Sequence, residues 1–502
     1  EYAQAYFNIG NVQAAKNDMG AAIESYDLAL KNKKDYIEAY INLGSCLINI
    51  GNLEAATKKY FQALEIDPGS PTATSGLIYA MARNEKIGEQ ELFAQTCYFA
   101  KKMEANFFSE WPVHKNLRDP DRCLKIGFVS GDFNNHALAL FFKGLIDPLS
   151  NYKNLQLHAY YNNTLEDTVT QELKKYFLCW NLVTNISDEQ LVQDIRSDKI
   201  DILIDLSNHS ARNRLAVFAR KPAPLQVTTI GLPSSTGLTA IDYHLGLDCG
   251  NMSDKFLECY VGLPSSVVYS PIQKMPPVNA LPAVKNGFIT FGSFNKTEKI
   301  SRACIILWSK LLREMPNSRL LFCGQESKIS QDNFERWFVE ESIELDRIFF
   351  QPKRKFLDYC LLHHQVDINL ISFPISGSTT IFNSLSMGVP ILGFASSEAA
   401  PQVANVNYIL STLGLAGYVL YNEDDFISKA TSLTNELKKL TSTRKSLRQK
   451  LSNSVFCNSD VAAAGWEAAL RIMWRRWCSD LDPKPFQLKM EDLKFLPSSG
   501  QD

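Results

Sequence analysis

The stretch FITFGSFNKTEKISRACIILWSKLL, Phe288 to Leu312, carries a strand, a corner and a helix in one run. Phe288, Ile289, Thr290 and Phe291 have the short apolar and aromatic character of a strand buried in a sheet. Gly292 and Ser293 turn the chain, and from Ile300 apolar residues recur at helical spacing. A strand that feeds a helix through a small-residue corner is the building unit of a parallel sheet. Lys296 and Lys299 sit in that corner, just before the helix. A helix start offers unpaired N–H groups and a positive dipole end, so an anion is favoured there, and Lys299 could add a full charge. Lysines at such corners are more often simply solvated, so neighbouring corners must decide.

The alternation extends in both directions. Downstream, RLLFCG, RIFFQP, VDINLI and VPILGFA read as strands with helices between them. Upstream, LKIGFVS from Leu124 reads as a strand and LALFFKGLIDPL as a helix. LQLHAYY, helices from Glu166 and Asp188, IDILIDL and PLQVTTIG continue the pattern. A proline-rich stretch, Met275 to Pro282, separates the two blocks. Two such blocks predict two Rossmann-like domains with parallel sheets facing a cleft. Ligands of such sheets bind at the carboxyl ends of strands.

The first part of the chain follows a different rule. AYFNIGN at Ala5 returns as AYINLGS at Ala39, and Ala21, Ala22, Tyr26, Ala29 and Leu30 return as Ala55, Ala56, Tyr60, Ala63 and Leu64, all at an offset of 34 residues. That period, with Pro68 closing the second unit, is similar to the tetratricopeptide repeat. Paired helices of this kind cannot bury their faces alone, so Glu1 reads as a truncation point in a longer solenoid. The expected organisation is a repeat segment over 1–70 and a helical cap over 71–120. An N-terminal Rossmann-like half follows over 121–275, then a C-terminal half over 283–478 that includes the last helix, and a tail over 479–502.

Bulk composition excludes several classes. Net charge is −2, with 52 basic against 54 acidic residues, so no basic field marks a general nucleic-acid binder. No apolar run reaches the ~20 residues that a membrane span needs. The 11 cysteines are dispersed without C-x-x-C spacing, which fits reduced thiols and a cytoplasmic location better than a disulfide framework or a zinc site. The P-loop, the G-x-S-x-G elbow and H-E-x-x-H are all absent.

Three loops of the second block offer convergent chemistry. Lys296 and Lys299 form the first. SFPISGSTTIFNSLSMG brings Gly377, Ser378, Thr379 and Thr380 to a helix start, where N–H and O–H donors suit phosphate oxygens, with Asn383 one turn on towards a ribose. Gly-Ser-Thr-Thr also caps a helix well with no ligand. QPKRKFLDY offers Arg354 and Tyr359 for the edge and face of a base. In the first block the candidates are His136, after the Leu124 strand, and Asp188, as an N-cap or first-turn acid. His209 and the turn containing Gly231 form a candidate pocket wall.

Taken together, LKIGFVSGDFNNHALALFF, GLPSSTGLTAIDYHL, NGFITFGSFNKTEKIS, SGSTTIFNSLSMGVPIL and SVFCNSDVAAAGWEAALRIMW resemble the O-GlcNAc transferase and SPINDLY family of protein O-glycosyltransferases, glycosyltransferase family 41. The resemblance covers the whole chain, and is nearer to SPINDLY and bacterial members. It implies an α/β GT-B fold behind a tetratricopeptide segment, inverting transfer without a metal or other cofactor, and Ser/Thr hydroxyls of proteins as acceptors. It also implies that Lys299 binds the donor diphosphate, that His136 serves the sugar and acceptor side, and that Asp188 acts as a base or on a proton path. Ser378, Thr379 and Thr380 match the phosphate-holding loop. Lys296, Ser378, Asn383, Tyr359 and the LPSSTG turn depart from the family's usual residues. Those departures leave the donor open between UDP-GlcNAc, the leading expectation, and GDP-fucose. A weakly active scaffold that binds proteins through its repeats is a further alternative.

Overall fold

The computed structural model describes residues 2–250, 252, 254–271, 273–324, 327–395 and 400–495. They fall into two compact units. One comprises Glu1–Asp67, Gly76–Glu89 and Gln273–Ser452; the other comprises Pro68–Ser75, Gln90–Ile272 and Asn453–Asp502.

The first unit opens with helices Tyr2–Ala15, Met19–Asn32, Ile37–Asn49 and Leu53–Ile66, two hairpins repeating one design. Asp18 and Asn52, in equivalent places, cap the second helix of each pair by accepting from Ala21 N and Ala55 N, both at 3.2 Å. The small residues are required by close approach. A Cβ on Gly10 would lie 2.6 Å from the Tyr26 ring, and one on Gly44 would lie 2.8 Å from Tyr60. Helices Pro71–Met81 and Glu89–Ala105 follow.

The second unit is built on a parallel sheet. Its strands are β1 (Leu124–Ser130), β2 (Leu155–Tyr161), β3 (Cys179–Leu182), β4 (Ile202–Asp205), β5 (Leu225–Thr228), β6 (Tyr243–Leu247) and β7 (Cys259–Leu263). Their spatial order is β7-β6-β5-β4-β1-β2-β3, with a two-residue edge strand, Phe486–Gln487, beside β7. Because β1 lies between β2 and β4, the order reverses there, and the loops after β1 and β4 flank the switch point.

The helix Ser459–Cys478 belongs to this unit, which corrects its expected place in the C-terminal half. Trp466 is fully buried, stacks on Phe128 of β1 with ring centroids 6.1 Å apart, and donates from Nε1 to Ser266 O at 3.0 Å. Trp474 Nε1 donates to Asp119 O at 2.9 Å. Most faces of the helix are buried in one core with the Ala139–Leu149 helix and the sheet. The expected tail, 479–502, likewise contributes the edge strand Phe486–Gln487 to this sheet.

The first unit has its own parallel sheet: β8 (Thr290–Ser293), β9 (Arg319–Cys323), β10 (Ile348–Gln351), β11 (Ile368–Leu370), β12 (Ile391–Phe394) and β13 (Val419–Leu420), in the order β10-β9-β8-β11-β12-β13. The switch point falls between β8 and β11. The proline-rich stretch is tied into this unit. Fully buried Arg444 donates to Asn279 O, Val366 O and His363 O, while Asp367 accepts from Ala283 N and Thr290 N, both at 2.9 Å. Two parallel-sheet α/β domains behind helical repeats agree with the expected fold class. Among the described residues, no helix is long and apolar enough to cross a membrane, and the 11 cysteines form no disulfide.

Candidate functional site

The loops after β8 and β11 flank the switch point of their sheet, which is why their side chains meet. The first loop closes as a 3-10 turn, Thr297–Lys299, and the long helix begins only at Arg302, capped by Ser301 Oγ accepting from Cys304 N at 3.2 Å. Lys299 therefore serves a different helix from the one it precedes. The loop after β11 ends at Gly377, the N-cap of helix Ser378–Ser386. A Cβ placed on Gly377 would lie 3.4 Å from Lys299 Nζ, 2.9 Å from Asn295 Oδ1 and 2.7 Å from Thr380 Oγ1. Glycine leaves room for those three groups to converge.

Helix starts in this chain are of two kinds, with and without a capping side chain, and the one at Gly377 is of the second kind, like those at Tyr36, Lys355 and Ala400. Helices at Ser187, Ser301, Ser327, Asn422 and Asn458 each have a side-chain oxygen accepting from a first-turn amide. Gly377 supplies none. In place of an acceptor there is the Lys299 ammonium, a positive charge beside the positive end of a helix, which costs energy unless an anion enters. Thr380 Oγ1 lies 2.6 Å from Gly377 O and 3.1 Å from Asn295 Oδ1, which fixes the first turn against the β8 loop. Burial, with Arg83 and Lys296 adding to it and Glu298 opposing it, pulls the Lys299 ammonium down to about 8, so it is still mostly charged at neutral pH. A compact site with an ammonium, first-turn amides and hydroxyls fits a phosphate or diphosphate.

Other expected residues are placed less centrally. Ser378 is exposed and Thr379 partly so, at the open end of the helix. Lys296 has a side chain 78% exposed, 4.0 Å from Glu298. Arg354 is exposed and donates to Gln351 Oε1 at 3.4 Å. Tyr359 belongs to helix Phe356–Leu362 rather than to a loop, and its ring meets Phe294 edge-on at 5.6 Å and His363 at 5.2 Å. That contact ties it to the β8 loop. Asn383, in the second turn of the helix, is buried, 3% exposed.

In the second unit, His136 follows β1 at the switch point, with Nδ1 3.5 Å from the Asp132 carboxylate and its side chain 50% exposed. A carboxylate beside an exposed imidazole orients a general base or acid. Asp188 is the first residue of its helix, Ser187 being the cap. Its carboxylate accepts from Arg214 Nη1 at 2.6 Å, a partner that sequence reasoning missed. His209 is buried between Ser75 Oγ at 3.2 Å and Thr236 O at 3.0 Å, and burial draws its imidazole down to about 4. It braces loops as a neutral ring. Gly231 allows the loops after β4 and β5 to touch, since a Cβ there would meet the Ser207 backbone at 2.5 Å. The LPSSTG turn is held by buried Glu258, which accepts from Ser235 Oγ at 2.8 Å and Thr236 N at 2.7 Å. Among the described residues, no group of three or more His, Cys, Asp or Glu is spaced to hold a metal ion.

The model of glycosyl transferase family 41 matches residues 73–253 and 279–464, and a tetratricopeptide repeat model matches 3–36 and 37–70. The chain is 33% identical over 435 residues to a probable UDP-N-acetylglucosamine–peptide N-acetylglucosaminyltransferase SPINDLY of Hordeum vulgare, covering 84% of this chain and 45% of that protein. It is 32% identical over 442 residues to the protein of the same name in Arabidopsis thaliana, covering 85% and 47%. The chain thus spans about half the length of the curated relatives it matches. Among solved structures, a mutant O-GlcNAc transferase of Thermobaculum terrenum superposes with a TM-score of 0.85 at 28% identity, covering 95% of this chain and 92% of that one. With repeats, two parallel-sheet domains and a family model spanning both, the chain belongs to glycosyltransferase family 41.

Proposed function

We propose that the chain is the catalytic region of a protein O-glycosyltransferase that moves GlcNAc from UDP-GlcNAc to Ser or Thr hydroxyls of proteins docked on its repeats. The observation that carries this is the convergence of Lys299 Nζ, Asn295 and Thr380 on Gly377 at a sheet switch point. There the donor diphosphate meets an ammonium and the uncapped first turn of helix Ser378–Ser386. As the acceptor oxygen bonds to the anomeric carbon, the bond from that carbon to the phosphate oxygen breaks, and its electron pair leaves on the nucleoside diphosphate. Lys299 and the first-turn amides stabilise that growing charge, the role that preorganised donors play in other transferases. The acceptor proton passes to a general base, the role expected of His136 or Asp188, of which Asp188 is already paired with Arg214. The diphosphate charge is met by protein groups, so transfer proceeds without a divalent cation. The repeats supply an extended face suited to protein acceptors.

The test is transfer of labelled sugar to a protein acceptor by wild type and by Lys299→Ala, with UDP-GlcNAc and GDP-fucose in parallel arms. The expected result is transfer from UDP-GlcNAc and a loss of ~10²-fold or more in the variant. Equal rates in both proteins would overturn the role of Lys299, and transfer from GDP-fucose alone would overturn the donor.

A further inference from the structure

The helical segment Gly76–Glu89, outside both α/β sheets, packs within the same unit as the Lys299 corner. Glu85 Oε2 accepts from Ala303 N at 3.1 Å, just past that corner, and Lys86 bridges back to Glu54 of the repeats at 3.1 Å. Arg83 lies two residues before Glu85. It is 5% exposed, with its guanidinium 3.3 Å from the centre of the Tyr79 ring and Nη1 donating to Tyr79 O at 2.9 Å. Its buried Nε meets no acceptor among the described residues. A buried guanidinium normally has a carboxylate partner, because an unpaired buried charge is costly. Here aromatic and carbonyl contacts stand in its place.

Among the described residues, cations outnumber carboxylates around the corner: Arg83, Lys296 and Lys299 against Glu298 and Glu85. Arg83 and Lys296 disfavour the Lys299 ammonium and Glu298 favours it, and Glu298 likewise favours the charged form of Arg83. Glu298 has a side chain 10% exposed. Among the described residues, it is the one carboxylate that bears on both Lys299 and Arg83, while Glu85, the next carboxylate along, is engaged by Ala303 N. A dianionic ligand supplies what is missing.

We propose that Arg83 is a positioning residue of the diphosphate site: a fixed cation, contributed by the helical segment rather than by either sheet, that acts through Lys299 to draw in the diphosphate. This rests on the donor reading above. It makes the helical segment part of donor binding.

The experiment is titration of UDP, with GDP as a second arm, into wild type, Arg83→Met and Arg83→Lys from pH 6.5 to 9.5. Wild-type affinity should fall as pH rises through about 8, where Lys299 loses its proton. In Arg83→Met, affinity at pH 7 should drop about tenfold, and the alkaline fall should move to higher pH because a repelling charge beside Lys299 is gone. Arg83→Lys should keep most of the affinity and the wild-type alkaline fall. An unchanged affinity and pH profile in Arg83→Met overturns the inference while leaving the donor reading intact. So does an equal loss in both variants, which would assign Arg83 a purely structural role. Failure of wild type to bind either nucleotide overturns the donor reading, and this inference with it.

Discussion

Replacing Lys299 with methionine should stabilise the protein while abolishing transfer. Methionine nearly matches the shape of lysine and carries no charge. In the folded state the Lys299 ammonium titrates at about 8 rather than 10.5, because burial disfavours its charged form. That difference corresponds to roughly 3 kcal/mol, trimmed by solvent at a partly buried site to about 1–3 kcal/mol. The sign follows from the protonation states. Below pH 8 the lysine is charged in both folded and unfolded chains, so the folded state bears the whole penalty. Between pH 8 and 10.5 the folded state sheds the proton first and the penalty fades. At pH 7 the Lys299→Met protein should therefore melt higher by a few degrees, at about 2–4 °C per kcal/mol for a unit of this size, and the gain should vanish near pH 10.5. Saturating UDP should restore the order, raising wild type by RT ln(1 + [L]/Kd), about 2.7 kcal/mol at a hundredfold excess over Kd, and leaving the variant unmoved. Thermal melting between pH 6.5 and 10.5, with and without UDP, reads all of this. A variant that melts below wild type at pH 7 would refute the reasoning, because the ammonium would then be stabilising rather than held in reserve for a ligand.

Gly377→Ala sets a methyl 2.7 Å from Thr380 Oγ1 and 2.9 Å from Asn295 Oδ1 at a φ of −101°, which any residue adopts. It should weaken UDP binding by about tenfold or more while costing about 1–3 kcal/mol of stability, read by calorimetry and urea melts. His209 and His363 are buried as neutral rings, drawn down by burial to about 4 and about 3. Each contributes stability that is present above pH 6.5 and lost as pH falls towards those values, so the urea midpoint should drop steeply between pH 6.5 and 4.5, and His209→Gln should flatten the slope. Truncation after Ser452 removes the helix carrying Trp466 and Trp474 and should unfold the second unit while the first remains folded, seen by limited proteolysis. Transfer should be unchanged by EDTA, and a loss restored by Mg²⁺ would overturn the charge assignment to Lys299.

The sequence made the repeats legible because they are a local signal: Gly10 and Gly44 stand 34 residues apart, each against its own tyrosine. The same holds for β1, β2, β8 and β9, short strands each followed by a helix, so that the change of period marks them. Strands β6 and β7 were harder, since β5, β6 and β7 follow one another with no helix among the described residues between them to mark a change of period. The allegiance of helix Ser459–Cys478 could not be read, because periodicity shows that a helix is buried without showing which sheet buries it. At the site, Lys299 and the Gly377–Thr380 turn were visible as strand-end residues. The cation at Arg83, the Asp188–Arg214 pair and the Glu258 brace were not, because each depends on contacts between residues far apart in the chain. His209 looked like a pocket residue by its position after β4, and only its burial between Ser75 and Thr236 shows it to be a brace.

The central claim is that the leaving diphosphate sits at the amino end of helix Ser378–Ser386 beside Lys299. A structure of the protein with UDP bound measures this directly. The account predicts phosphate oxygens within about 2.7–3.1 Å of Lys299 Nζ and of first-turn amides of that helix. A diphosphate bound elsewhere, or held through a metal ion with Lys299 turned to bulk water, would contradict it.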